Sequence, residues 1–227
     1  MQPYFFPYLG YWQLMNAVDK YVIFDDVAYI KRGWINRNRI LIQGHVKYFN
    51  LPKFGGSQNQ LINEIVVNND PKLVQKNLRT IETAYKKAPY YASAWPIIRS
   101  VLECGEANIV DYLLKSFQIV GDYLDVKTEF ILSSQLDKDC GLKAQEKILA
   151  ICELLGATEY YNAIGGKQLY SYEDFESRGI ELRFLKPEIA VYEQFGGDFV
   201  PALSIIDVMM FNSREAICKM LENYELE

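Results

Sequence analysis

The sequence predicts an α/β fold: a Rossmann-like parallel or mixed sheet, a helical insert, and helices at the C-terminus. Three observations carry this. Between residues 127 and 186, strand-like and helix-like runs alternate as KTEFILSS, LKAQEKILAICELLG, TEYYNAI, SYEDFESRG and IELRFLK. That order is the signature of parallel strands joined by crossover helices. Residues 70–125 instead carry three successive helical patterns, read as an insert or subdomain. No repeat or low-complexity linker divides the chain, so residues 1–227 read as one domain around that insert.

The elements follow in order. The chain opens MQPYFFPYLGYW, and each proline there removes a backbone N–H. The stretch therefore cannot continue as a central strand or helix and reads as a rigid, aromatic-lined loop. In open α/β sheets ligands bind at the carboxyl ends of strands, where such a loop would lie. Met1 stands directly before Gln2, and a strand of about five residues is expected ahead of the loop. Tyr11, Leu14, Met15 and Val18 recur at helical spacing and predict an amphipathic helix. KYVIFDDV reads as a buried strand ending in Asp25 and Asp26. NRILIQGHVKYFNLP reads as a hairpin turning at Gln43-Gly44, with His45 just past the turn.

Asp70 as N-cap and Pro71 as first helical residue start a helix that runs to about Ala88, with Val74, Leu78, Ile81 and Tyr85 facing inward. A second helix begins near Ser93 with Pro96 in its first turn, and a third spans about 107–123. Gly156 stops the next helix, and Ser171 and Gly179 bound a short one. Two helices close the chain. Ser204 and Asp207 read as a capping box for the first, and Asn212 or Ser213 caps the second.

The net charge of −5 argues against bulk nucleic-acid binding. No apolar run reaches ~18 residues, so no membrane span is expected. No basic segment followed by an apolar run stands at the start, so a cytoplasmic location is expected. Cys104, Cys140, Cys152 and Cys218 lack CxxC spacing and read as free thiols. His45 is the one histidine, which excludes a His-pair metal site and would have to carry any Ser-His or Cys-His chemistry. No metal site and no cofactor is assigned. A Tyr-rich surface suits a homodimer.

Four stretches could carry chemistry. Asp25 and Asp26 end a strand, where a carboxylate acts as a base, a ligand or a turn cap; adjacent residues point to opposite faces, so one of the two would face a cleft. YIKRGWINRNR packs Lys31, Arg32, Trp34, Asn36 and Arg37 without an acidic residue, and Arg forks bind carboxylate or phosphate. This favours a small anionic substrate such as a nucleotide or sugar nucleotide; solvated loop cations are the plainer alternative. Ser57 and Gln58 follow Gly55-Gly56 in a loop that reads equally as a backbone cradle or a surface loop. Asn162, Gly165 and Gly166 sit at a strand-to-helix turn, where phosphate-binding turns occur, although the pattern is neither GxGxxG nor a P-loop.

QPYFFPYLGYWQLMNAVDKYVIFDDVAYIKRGWINRNRI resembles the opening of the WbqC-like protein family, and YYNAIGGKQLY and FVPALSIIDVMMFN resemble its later segments. The resemblance implies a part in synthesising bacterial surface polysaccharide such as O-antigen. It implies a transferase that moves an aminoacyl group, glycine among them, onto a sugar or sugar nucleotide. It carries over no catalytic residue. On that reading Asp25 or Asp26 serves as base, Lys31, Arg32 and Arg37 hold the anion, and Gln2, Tyr4, Tyr8 and Tyr11 shape the pocket. A second likeness is at the level of fold. Loop, small-residue turn, helix and strand are similar to HIGH-type nucleotidyltransferases, with Tyr8-Leu9-Gly10-Tyr11 where those carry His-x-Gly-His. Both histidines are tyrosines here, and neutral Tyr places no positive charge on a phosphoryl oxygen. Adenylyl or nucleotidyl transfer is thus one alternative function, and non-catalytic binding of a sugar nucleotide is another.

Overall fold

The computed structural model describes residues 1–139 and 141–227. Cys140 lies outside the described residues; Cys104, Cys152 and Cys218 are free thiols. The architecture is mixed α/β, with eight α-helices and nine strands among the described residues. After α1 (Leu9–Asn16) comes β1 (Lys20–Ile23). The hairpin β2 (Arg37–Ile42) and β3 (His45–Asn50) turns at Gln43 and Gly44, both at positive φ (51° and 76°). A two-residue turn with that twist matches the twist of the strands it joins. β4 (Lys53–Phe54) pairs with β5 (Val66–Val67). Three helices follow: α2 (Pro71–Tyr85), α3 (Tyr91–Leu102) and α4 (Ile109–Leu124). Then come β6 (Glu129–Leu132), α5 (Ala144–Leu154), β7 (Glu159–Ala163), α6 (Tyr172–Glu176) and β8 (Glu181–Pro187). The chain closes with α7 (Ile205–Phe211), α8 (Arg214–Leu221) and β9 (Tyr224–Leu226).

The sequence predicts one sheet; the strands divide among four. β1 and β6 pair in parallel, while β7 and β8 pair in parallel with β9 antiparallel at the edge. The hairpin and the β4–β5 pair stand apart. Alternation along β8 places Leu182 and Phe184 against α5 and Leu185 in the main core. That sheet therefore has helices on both faces. The smaller core joins Ile148, Leu149 and Cys152 of α5 to Phe175 of α6. The larger one takes in α1, α7 and the three helices of residues 70–125, with Trp12 packing edge-on to Phe117 of α4 at 6.0 Å.

Several local expectations change. α1 is not amphipathic: every residue from Leu9 to Met15 is buried, and Val18 lies beyond its end. Gln13 stays inside because its Nε2 donates to the carbonyls of Glu188, Met220 and Asn223. Gly10 is required there, since a Cβ would lie 2.6 Å from the Tyr8 ring and 2.8 Å from Cβ of Pro187. α3 starts at Tyr91, so Pro96 falls inside it; the carbonyl it leaves unbonded belongs to exposed Ala92, which water can serve. Ser204 caps α7, but the Asp207 carboxylate turns into the core instead of completing a capping box. Asp70, Ser171 and Ser213 cap α2, α6 and α8 as expected. No helix among the described residues is long and apolar enough to cross a membrane.

Candidate functional site

The carboxyl ends of β1 and β6 bring charge together. β1 is followed by Phe24, Asp25 and Asp26, and β6 by a short turn over Ser133–Gln135. The two aspartates have different environments, because adjacent residues of an extended chain point opposite ways. Asp25 is 1% exposed. One of its oxygens accepts the Ser134 N–H at 2.9 Å and the other faces Asn63 Nδ2 at 3.5 Å. It ties the end of β6 to the segment before β5, and both of its oxygens are engaged within the fold.

Asp26 meets two lysines. Lys138 Nζ lies 3.0 Å from one oxygen and Lys147 Nζ, from α5, 2.9 Å from the other. The side chains of Lys138, Lys147 and Asp26 are 3%, 12% and 18% exposed, so the group is largely shielded yet open at the carboxylate. Burial pulls the Asp26 carboxyl up, but hydrogen bonds from Lys147 and Lys138 outweigh it and hold it below its ordinary 3.8. Lys138 also donates to the Ser133 carbonyl, and the Lys147 ammonium sits 5.4 Å over the Phe24 ring. Two ammonium groups thus converge on one carboxylate at the strand ends. Among the described residues no three His, Cys, Asp or Glu side chains converge as metal ligands.

The N-terminal loop starts at this edge. Met1 bonds to β1 through its nitrogen to Val22 O (2.8 Å) and through its carbonyl from Phe24 N (2.7 Å). Gln2, Tyr4 and Tyr8 are half-buried. Tyr11 is in the core, its hydroxyl donating to the Gln2 carbonyl. Burial raises the phenol pKa of Tyr4, Tyr8 and Tyr11. Phe5 and Phe6 are fully buried. They are not a pocket wall, because their carbonyls accept from Asn38 Nδ2 at 2.9 and 2.7 Å and draw the loop into the core.

The basic segment forms a separate surface. Lys31 and Arg32 are exposed. The Arg37 guanidinium donates to the carbonyls of Gly33 and Arg32 and stacks 4.6 Å from Tyr48 and 5.9 Å from Trp34. It closes the loop and is not an open fork. Asn36 accepts from Tyr29 Oη at 2.6 Å and donates to Leu51 O at 3.1 Å, again holding the loop. Beside it runs the Gly55-Gly56 loop, joined by the Tyr29 N–H to Gln60 O bond. Ser57 and Gln58 are exposed at its tip. Lys53 lies 4.7 Å over Tyr29, its pKa lowered by burial and by Lys31. Residues 27–30 connect Asp26 to Lys31, with bends at Asp26 and Val27.

At the end of β7, Asn162 is buried. Its amide is satisfied locally, accepting from Ala163 N at 2.7 Å and donating to Tyr160 Oη at 3.2 Å. Gly165 and Gly166 lie in the following 3₁₀ turn, Ile164–Leu169. Ile164 and Phe24 pack on the same smaller core, which relates this turn to the Asp26 edge. The sequence reading missed Lys138 and Lys147. The one available signal was Lys147's place four residues before buried Ile151 on α5.

The comparisons agree with the resemblance. The profile of the WbqC-like protein family matches residues 2–219. A relative from Mycobacterium tuberculosis (strain ATCC 25618 / H37Rv), the uncharacterized protein Rv1507c, is 27% identical over 222 residues, covering 95% of this chain and 94% of its own. No solved structure matches. With nearly its whole length matched, the chain belongs to the WbqC-like protein family.

Proposed function

We propose that this protein is a transferase of surface-polysaccharide synthesis, which binds an anionic sugar substrate such as a sugar nucleotide and passes an aminoacyl group from an ATP-activated (adenylated) amino acid onto a sugar amine or hydroxyl, AMP leaving as the acceptor gives up its proton to solvent. The observation that carries the reading is the Lys138–Asp26–Lys147 cluster at the carboxyl ends of two parallel strands. Open α/β sheets bind ligands at such an edge. The Lys147 ammonium at this edge suits a phosphate, and partial shielding strengthens the attraction relative to a surface site. Asp26 holds the two ammonium groups in place and accepts a hydrogen bond from the acceptor amine or hydroxyl. Asp25, with both oxygens engaged, is a positioning residue. Gln2, Tyr4 and Tyr8 line the approach from the N-terminal loop. The association of WbqC-like proteins with polysaccharide-synthesis genes supports the substrate class.

The test is calorimetric titration with UDP-, GDP- and dTDP-sugars, followed by mass spectrometry of reactions with glycine and ATP. Lys147→Ala is expected to weaken sugar-nucleotide binding about tenfold, a charge-assisted contact of about 1.5 kcal/mol. A product heavier than the sugar nucleotide by one glycyl group is expected from the parent protein and not from Asp26→Asn. Binding that survives Asp26→Asn, with no product from the parent, would replace this reading with a non-catalytic binder. Release of pyrophosphate without glycyl product would replace it with nucleotidyl transfer. No binding by any nucleotide would sink the assignment of the cluster.

A further inference from the structure

β2 and β3 pair only with each other among the described residues, so each has an outer edge. Ile42 and His45 flank the two-residue turn and close the ladder as a hydrogen-bonded pair, and Ile40 and Lys47 repeat that pairing two residues on. Leu41 with Val46 and Arg39 with Tyr48 are then the alternate pairs, whose peptide groups point outward. On the β2 side those groups are served. The Leu41 N–H donates to Tyr85 Oη at 3.1 Å, and the Arg39 carbonyl accepts the Ser204 N–H at 2.9 Å. On the β3 side Asn77 Nδ2 donates to the Asn50 carbonyl at 2.9 Å. Among the described residues the outward peptide groups of Val46 and Tyr48 have no such partner. Water serves them, and a strand could replace it.

The two faces of this edge differ. His45 to Tyr48 are all exposed, Val46 at 40% and Tyr48 at 53%. Lys47 shares a face with Ile42. Ile42 borders an open groove of about 690 Å³ whose other wall is α2, where Lys72, Lys76 and Arg79 follow one another at helical spacing. Val46 and Tyr48 are on the opposite face, where the Trp34 ring lies 6.3 Å from that of Tyr48. Residues 27–63 hold six Lys and Arg and no Asp or Glu, in a chain of net charge −5. Among the described residues no ion pair joins Lys47, Lys72, Lys76 or Arg79 to a carboxylate. One open strand edge is thus flanked by unmatched cations on one face and by exposed apolar side chains on the other.

We propose that β3 is a docking edge for an extended segment of a partner protein, one in which acidic residues alternate with apolar ones. The segment adds antiparallel to Val46–Tyr48, the more stable pairing per residue. Its apolar residues stand opposite Val46 and Tyr48 and exchange N–H···O bonds with them. Its acidic residues fall on the other face, beside Lys47 and toward the Lys72, Lys76 and Arg79 stripe of α2. In strand addition of this kind the main-chain bonds supply affinity and the alternate side chains supply specificity. A second copy of this chain fits poorly, because joining two β3 edges through Val46 and Tyr48 sets Lys47 directly opposite Lys47. Nucleic acid leaves the edge carbonyls unserved, and the Arg37 fork is already closed on the carbonyls of Gly33 and Arg32.

The probe is a fluorescein-labelled peptide, Glu-Val-Glu-Tyr-Glu-Val-Glu, titrated with the 227-residue chain by fluorescence anisotropy. Binding is expected to slow hydrogen exchange at the Val46 and Tyr48 amides. N-methylation of the peptide's Val and Tyr amides, which face β3, is expected to abolish binding. N-methylation of its Glu amides, which face away, is expected to leave affinity within about twofold. Lys47→Glu, at an exposed position, is expected to keep Tm and to weaken the peptide about tenfold. A peptide with Lys in place of each Glu is expected not to bind. No binding of the probe, unaltered exchange at Val46 and Tyr48, equal loss from the two methylations, or equal binding of the Lys peptide would overturn the proposal. Binding of a thymidine 15-mer in place of the peptide would overturn it in favour of nucleic acid. A dimer of the free chain that protects the same two amides would overturn it in favour of a second copy.

Discussion

Asp207 supplies the sharpest test of the core. It is fully buried, and among the described residues its hydrogen bonds come from neutral groups. One oxygen accepts from Tyr85 Oη at 2.8 Å; the other accepts from Tyr192 Oη at 2.8 Å and Gln194 Nε2 at 2.6 Å. Tyr85 in turn accepts the Leu41 N–H at 3.1 Å, and Gln194 Oε1 accepts the Val200 N–H at 2.8 Å. One carboxylate thus joins α7 to α2, β2 and the loop after β8. Asp207→Ala leaves three donors without their acceptor. Each buried orphan costs about 1–3 kcal/mol, and Tyr192 can turn to solvent, so the loss is expected near 4 kcal/mol. For a chain of this length that lowers Tm by roughly 8–16 °C.

The same carboxylate gives a pH signature. Burial raises the Asp207 pKa, and the three hydrogen bonds lower it only in part. A raised carboxyl binds its proton more tightly folded than unfolded. The stability it contributes is therefore complete below its ordinary 3.8 and falls as pH rises through the raised value. Asp207→Asn keeps an acceptor and removes the charge, so it is expected to cost less than Asp207→Ala. The gap between the parent and Asp207→Asn is expected to be widest in acid and to narrow as pH rises. Urea unfolding of the three proteins across pH 3–7 measures both effects. An Asp207→Ala protein within about 0.5 kcal/mol of the parent, or a parent–Asn gap flat with pH, would refute the account of this carboxylate.

Three further outcomes follow from the packing. Gly10→Ala is expected to destabilise by about 1–3 kcal/mol in thermal unfolding because its methyl meets Pro187 and the Tyr8 ring, although helix propensity alone favours Ala by about 1 kcal/mol. Asn38→Ala removes both bonds to the Phe5 and Phe6 carbonyls and is expected to cost about 2–4 kcal/mol by urea titration. Asp26→Asn removes a carboxylate that two lysines share; solvent at the open side limits the loss to about 1–2 kcal/mol at neutral pH. Because the Asp26 pKa is lowered, that stability is present above 3.8 and disappears as pH falls through the lowered value, so parent and variant should converge in acid.

What the sequence revealed was local. The Gln43-Gly44 turn and the Asp70, Ser171 and Ser213 caps depend on a few neighbouring residues, and all are present. α1 was misread because seven of its eight residues, Leu9 to Met15, are buried all round, and periodicity identifies a face only when another face meets water. Asp207 fitted a capping box by spacing, but three donors from distant segments drew it inward. β9 escaped because it is a three-residue edge strand whose partner, β8, is far away in the chain. Arg37 and Asn36 looked like ligand-binding groups, yet each is engaged by the loop that carries it.

The candidate site was half legible for the same reason. A strand ending in two aspartates marks the edge, but the choice between them is tertiary. Asp25 is taken by Ser134 and Asn63, and Asp26 is left for Lys138 and Lys147. The lysines stand more than a hundred residues away and reach Asp26 because β6 lies beside β1 and α5 follows it. Met1 bonds to Phe24 N, so the loop that begins at Gln2 starts two residues from Asp26, and the Met1 nitrogen feels the Lys147 charge. Whatever fixes Met1 against β1 therefore also fixes the approach to the cluster.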